Sequence, residues 1–399
     1  LKLIYLDNNA TTRPLPEVVT AMREGLESHW GNPSSMHRFG NEAKQRVELA
    51  REQVGKLVGA PPRDVVFTSG GTEGANLAVA GSLAVQRGRS VLVTSRLEHS
   101  AVRELAQQLA ARGTEVVWLP NSGDGVVDPQ ALSDLLRARA KEIALVSVMA
   151  ANNETGVIQP WREMARLCSE HGVRFHCDAT QWVGRMPTDL TAEPVDLFSF
   201  APHKFHGPKG IGALVIRQGV RLGSLVVGGP QERRRRGGTE NVPSIMGFGV
   251  AAQSARDWLS EPANPASVSK QRDRLEQLLL EGAPDARVNG ATSPRIWNTT
   301  NIGFPRLEAE AMLLLLSERG VAASAGSACS SGSLEASPIL RAMDIAPDLA
   351  HGSLRFSLSR FTTDAEVSEG AEIILACATK LRASSAALGG RAASTARAH

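Results

Sequence analysis

Lys204 stands between a short β-like run, VDLFSF (195–200), and a glycine-rich turn, HGPKGIG. Upstream of it an aspartate, Asp178, ends another such run, VRFHCD. An ε-amine condenses with an aldehyde only when deprotonated, and burial among other cations favours that form. A carboxylate beside a pyridine nitrogen keeps the nitrogen protonated, which makes the ring an electron acceptor. The two residues together therefore suit pyridoxal 5'-phosphate. Taken singly, each reads equally well as a loop lysine or a strand-end aspartate, so the weight falls on what accompanies them.

Four further motifs carry groups of the required kind. TSGGTEGANLAV (68–79) reads as strand, glycine turn and first helical turn. There the free N–H groups around Gly71 and Thr72 would attract a phosphate, although the same residues also make an ordinary helix start. SRLEHSAVREL (95–105) places His99 before a helix. An imidazole there can stack on a ring and exchange protons near neutral pH, or simply cap the helix. SAGSACSSGSLEAS (324–337) surrounds Cys329 with small residues and two glycines. That is the pattern of an accessible loop thiol rather than a buried one. SLRFSLSRFTT (353–363) offers Arg355 and Arg360. Strand alternation sets Arg355 opposite Leu354 and Phe356, so its guanidinium fork would face either a substrate carboxylate or solvent.

The elements that must position these groups are legible as alternation. Seven β-like runs, at 65–69, 90–95, 115–120, 143–149, 173–178, 195–200 and 211–216, alternate with amphipathic stretches. They predict an α/β unit with a mostly parallel seven-stranded sheet over residues 15–255. A helix is predicted over 41–58, stopping at Gly59 before Pro61 and Pro62. From 256 to 383 the composition shifts to a smaller α+β unit, to which residues 1–14 are added. The tail 384–399 has one large apolar residue, Leu388, and is expected to lack order. Because ligands in parallel sheets sit at the carboxyl ends of the strands, Gly71, Thr72, His99, Asn153, Asp178, His203 and Lys204 should converge on one edge.

Composition sets outer limits. With 44 basic and 41 acidic residues the net charge is +3, too balanced to imply nucleic acid or a membrane surface. The cluster Arg233 to Arg236 reads as a solvated loop, or as a place to meet a phosphate or an acidic partner. No apolar run approaches a membrane span and no signal peptide opens the sequence, so a cytoplasmic location is expected. Cys168, Cys177 and Cys377 read as buried small hydrophobes, and no cysteine or histidine spacing suggests a metal.

With these motifs in view, the chain resembles the NifS/IscS-type cysteine desulfurases, fold-type I pyridoxal-phosphate enzymes. The resemblance runs in order through YLDNNATT, GNPSSMHRFG, FTSGGTEGANLA, LEHSAV, MAANNETGVIQP, FHCDATQ, PHKFHGPKGIG, RRGGTENVPSIMGFG, SAGSACSSGSLE and LRFSLSRFTT, excluding only the tail. It implies that Lys204 bonds the cofactor aldehyde, Asp178 holds the pyridine nitrogen, Gln181 binds the phenolic oxygen and His99 stacks on the ring. Gly71, Thr72 and His203 would hold the phosphate, and Thr239 would reach the phosphate of the partner subunit in a homodimer. Arg355, with Asn153 and Asn32, would take the carboxylate of L-cysteine. Cys329 would be the nucleophile that receives sulfur and hands it to an iron–sulfur scaffold or another acceptor protein.

Several motifs resemble the nitrogen-fixation branch most, while a housekeeping role stays open, as do selenocysteine lyase, cysteine sulfinate desulfinase or another class V activity. One position departs from the pattern: many relatives carry a serine where this chain has Ala201. The missing hydroxyl would cost cofactor binding about 1.5–3 kcal/mol at most.

Overall fold

All seven predicted β runs become strands of one sheet in the computed structural model, which describes residues 3–86, 88–325 and 336–395. In chain order the strands are β1 (Ile4–Tyr5), β2 (Val65–Thr68), β3 (Val91–Ser95), β4 (Val116–Leu119), β5 (Ile143–Ser147) and β6 (Phe175–Asp178). They continue as β7 (Leu197–Phe200), β8 (Gly212–Ile216), β9 (Arg287–Val288), β10 (Thr299–Gly303), β11 (Val321–Ala322) and β12 (Ser353–Ser357). The large sheet has the order β2-β8-β7-β6-β5-β3-β4. Strands β3 to β7 pair in parallel, and β8 runs antiparallel to both β2 and β7. Every residue of β2, β3, β5, β6, β7 and β8 is buried, which explains why these strands read as continuous apolar runs rather than as alternations.

The helix expected over 41–58 spans Arg38–Val58 and stops at Gly59, whose φ of +64° is one that a residue with a side chain rarely adopts. A Cβ there would also strike Asp189. Beyond the large sheet, β12, β10 and β9 form a second, antiparallel sheet, and β1 pairs in parallel with β11. These elements, with helices Ala263–Gly282, Ala309–Glu318 and Asp364–Thr395, enclose their own apolar cluster, which includes Ile4 and Leu6 from the chain start. Ile339, Leu340 and Met343 pack instead on the cluster of the large sheet.

Helix Asp364–Thr395 runs through residues 384–395. The alanines that deprive this stretch of apolar bulk are also the strongest helix formers. Among the described residues no helix is long and apolar enough to cross a membrane.

Candidate active site

The carboxyl ends of the strands bring the predicted residues to one edge. Gly71 and Thr72 follow β2, His99 follows β3, Asn153 follows β5, Asp178 ends β6, and His203 and Lys204 occupy a single 3-10 turn, Pro202–Lys204, after β7. Together with Gln181 they line one cleft of about 200 Å³, along with Ala101, Met149, Ala151 and Thr180. Asn152, next to Asn153, fixes the turn: its amide donates to Leu97 O at 2.9 Å and its oxygen accepts from the N–H of Glu154 and Thr155.

Lys204 meets no carboxylate among the described residues. Its Nζ donates to the main-chain carbonyls of Asn9 at 2.6 Å and Ala10 at 2.9 Å. Burial, assisted by Arg185 and Arg355 and opposed by Asp7 and Asp178, lowers its pKa to about 7, so a large fraction is free amine at neutral pH. Asn9 is held rigid, with its side-chain amide donating to Thr299 Oγ1 and Asn153 O and its N–H donating to Ser357 Oγ. The second unit, through β10 and β12, thus sets the carbonyls that receive the lysine.

Asp178 Oδ1 accepts from Thr180 N–H at 3.0 Å. His176 precedes it on the same face of the strand. The imidazole is wedged between Ser147 Oγ at 2.8 Å and Ser199 Oγ at 2.9 Å. Burial lowers His176 to about 4, so it is neutral. His203 is lowered to about 3 by burial and by Lys204, Lys209 and Arg185. His99 Nδ1 accepts from Ala101 N–H at 3.1 Å, capping helix Ser100–Ala111. Burial lowers its pKa too, with Asp178 opposing and Lys204 assisting. The same ring thus caps the helix and lines the cleft.

Arg355 points inward from β12, buried, donating to Asp7 Oδ1 at 2.7 Å and to Asn153 O at 2.9 Å. Gln181 donates to Asn9 O at 3.1 Å and accepts from Arg185, which also donates to the carbonyls of Asn8 and Lys204. Asn32 and Thr239 are exposed and stand apart from the cleft lining of the single chain, with Asn32 Oδ1 accepting from Ser34 N–H. Cys329 lies outside the described residues.

Sequence reasoning missed Asp7, Asn9, Ala10, Thr180 and Arg185. The segment YLDNNATT was noticed only as a shared motif, and nothing local in it announces that two of its carbonyls face a lysine far along the chain. It also missed Glu98. Burial raises this carboxyl to about 8, with Asp178 adding to the rise and Met149 N–H, Ser95 and Arg103 opposing it. One of its oxygens, Oε2, has no partner among the described residues. The folded chain keeps that proton to about pH 8 and the unfolded chain only to 4.5. The stabilisation is therefore complete below pH 4.5 and lost as pH rises through 8. Glu98→Gln should be free of this loss: melting of the two proteins at about pH 5 and about pH 8 should show the difference moving in favour of glutamine by more than about 1 kcal/mol. A pH-independent difference would mean that Glu98 is ionised in the fold.

A chain with this sheet, a half-buried amine and a carboxylate at adjacent strand ends, and a glycine-opened helix beside them falls in the class of α/β transferases built around such a lysine. Residues 4–369 match aminotransferase class-V, and the chain belongs to that family. It is 46% identical to a cysteine desulfurase of Trichormus azollae over 383 residues, covering 96% of this chain and 94% of that protein. To the cysteine desulfurase NifS of Azotobacter vinelandii it is also 46% identical, over 365 residues, covering 91% and 90%. A solved structure of a NifS-like protein superposes with a TM-score of 0.87 at 34% identity, covering 95% of this chain and all of that one.

The residues present fit pyridoxal 5'-phosphate. The amine is available unprotonated. The helix Gly71–Val85 begins at Gly70 with no side-chain cap on its first N–H groups. The Oδ1 of Asn153, a cleft residue, is buried with no partner among the described residues. A side chain at Gly71 would press on Thr180 Oγ1, so that position must stay bare.

Proposed function

We propose that this chain is a pyridoxal-phosphate-dependent cysteine desulfurase. It converts L-cysteine to L-alanine, keeps the sulfur as a persulfide on Cys329 and passes it to an acceptor protein, an iron–sulfur scaffold or another sulfur carrier. What carries the reading is the meeting of Lys204, Asp178, His99, Gln181 and Thr72 in one cleft, in a chain whose relatives bear that name.

When bound, pyridoxal 5'-phosphate supplies an electron sink for charge that develops at the substrate Cα. Lys204 would hold it by the aldehyde, Asp178 by the pyridine nitrogen, Gln181 by the phenolic oxygen, and Gly71, Thr72 and His203 by the phosphate. His99 would stack on the ring. Thr239, exposed on its loop, would reach the phosphate bound to the partner subunit of a homodimer. Arg355, with Asn153 and Asn32, would bind the substrate carboxylate, and the existing Arg355–Asp7 pair orients the guanidinium beforehand.

Lys204 then removes the Cα proton, a task for which an amine pKa near 7 is well matched. The Cys329 thiolate attacks the substrate sulfur. An S–S bond forms, the Cβ–S bond breaks, its electron pair stays with carbon and is taken by a proton, and L-alanine leaves. One sulfur atom has moved from substrate to enzyme with no external oxidant.

The test is direct. The purified protein should carry a visible cofactor band and release equal amounts of alanine and, with a thiol reductant, sulfide from L-cysteine. A colourless protein that takes up no pyridoxal 5'-phosphate would overturn the reading.

A further inference from the structure

The arginine cluster at 233–236 does more than coat a loop. Its first turn is strained: the φ angles of Glu232, Arg233 and Arg234 are all positive, at 45°, 56° and 65°. Residues with side chains rarely occupy that region even singly. Such a conformation persists only when the surroundings over-determine it. Here they do. Buried Arg51 grips buried Glu232 through two hydrogen bonds of 2.7 and 2.9 Å, and Glu232 also accepts from Phe67 N–H of β2 at 3.1 Å. Arg233 is tied to Arg63 O at 3.0 Å.

The outcome of this anchoring is the placement of Arg236. Its guanidinium donates to Glu73 Oε1 at 2.9 Å and Oε2 at 3.3 Å. Glu73 is the acidic residue in the first turn of helix Gly71–Val85, and it also accepts from Ser69 N–H at 2.8 Å, closing the turn that leads from β2 to Gly71. That carboxylate suits the helix dipole while the turn is empty. An anion at the same turn, flanked by Gly71 and Thr72, would meet it as a like charge.

We propose that Arg236 serves the phosphate end of the cleft from outside it: by pairing with Glu73 it cancels the negative charge built into the first helical turn and so lets that turn hold the anionic group of the cofactor. The inference rests on the cofactor reading above. It makes Arg236 a positioning and charge-matching residue rather than a ligand, and it gives the strained arm 231–236 a purpose.

The experiment is a set of titrations of the full-length chain, stripped of cofactor, with pyridoxal 5'-phosphate and, separately, with pyridoxal, which lacks the phosphate. Visible absorbance reports binding for the wild type, Arg236→Gln, Glu73→Gln and the double variant. Arg236→Gln should weaken pyridoxal 5'-phosphate by at least about tenfold and leave pyridoxal unchanged. Removing the glutamate charge as well should recover most of the loss. Glu73→Gln alone should bind at least as tightly as the wild type, and this arm decides the matter should Arg236→Gln fail to fold.

Four results would each overturn the proposal: an Arg236→Gln variant that binds as the wild type does, equal weakening of both ligands, a double variant no better than Arg236→Gln, or a Glu73→Gln variant that binds pyridoxal 5'-phosphate more weakly than the wild type. A wild type that binds neither ligand would instead refute the cofactor assignment itself.

Discussion

Lys204→Ala is expected to lose the covalent, borohydride-reducible attachment of pyridoxal 5'-phosphate and to lose turnover by at least about 10³-fold. The loss combines two roles that no neighbour can fill, the bond to the aldehyde and the proton transfer at Cα, and acid–base catalysis alone is typically worth about 10²–10⁴-fold. The geometry makes the site selective. Lys204 is in the cleft, half-buried, donating to main-chain carbonyls, with its pKa lowered to about 7. Lys209, further along the loop that precedes β8, is exposed and stands apart from the cleft lining. Reduction with borohydride followed by peptide mapping separates the two: a label retained in the alanine variant would place the attachment at Lys209. Cofactor can still enter the Lys204→Ala cleft through the helix start and Asp178, so unbonded, dialysable cofactor is the expected companion result.

How much of this was legible in the residues follows from which contacts are local. Strand ends are local. A short β-like run closed by a polar residue, as in VRFHCD, or by a turn, as in VDLFSFAPHK, gives both the strand and the point where its side chains emerge. That is why Asp178, Asn153 and Lys204 could be placed on one edge in advance. For Arg355 alternation gave only the face opposite Leu354 and Phe356 and left open whether that face met the cleft or solvent.

What escaped depends on chain-distant meetings. Lys204 is received by carbonyls of Asn9 and Ala10, at the far end of the sequence, and backbone oxygens leave no mark on side-chain composition. Arg185 was invisible for a related reason: one arginine in a turn carries no sign that it will be buried, bonded to Gln181 and to the carbonyl of Lys204. Nothing local at Glu98, beside His99 in the chain, signals that the fold will bury its carboxyl and raise its pKa. Asn32 and Thr239 were assigned through resemblance, and the single chain leaves both on its surface.

Cys329→Ala should keep the yellow cofactor and the spectral response to L-cysteine while alanine and sulfide production vanish. On the proposed assignment, binding and Cα proton removal use Lys204, Asp178 and Arg355, none of which is touched. Sulfur removal is different, because in the proposed route, which leaves the electron pair on carbon and gives alanine, the sulfur atom must be taken up by a nucleophile. The chain has four cysteines, and the other three cannot stand in. Cys168, Cys177 and Cys377 are buried, and burial pushes each thiol above its ordinary pKa, so almost none is thiolate at neutral pH. Cys177 lies on β6 among core residues and Cys168 in helix Trp161–Glu170 behind the sheet, so neither has a path to a substrate held at the strand ends. Mass spectrometry of the intact chain after L-cysteine, without reductant, gives the complementary measurement: the wild type should gain one sulfur atom, on the peptide containing residue 329, and the variant none. Full turnover in Cys329→Ala, or a persulfide found on one of the three buried thiols, would remove Cys329 from the mechanism and leave the lysine chemistry standing, since the two roles fail independently.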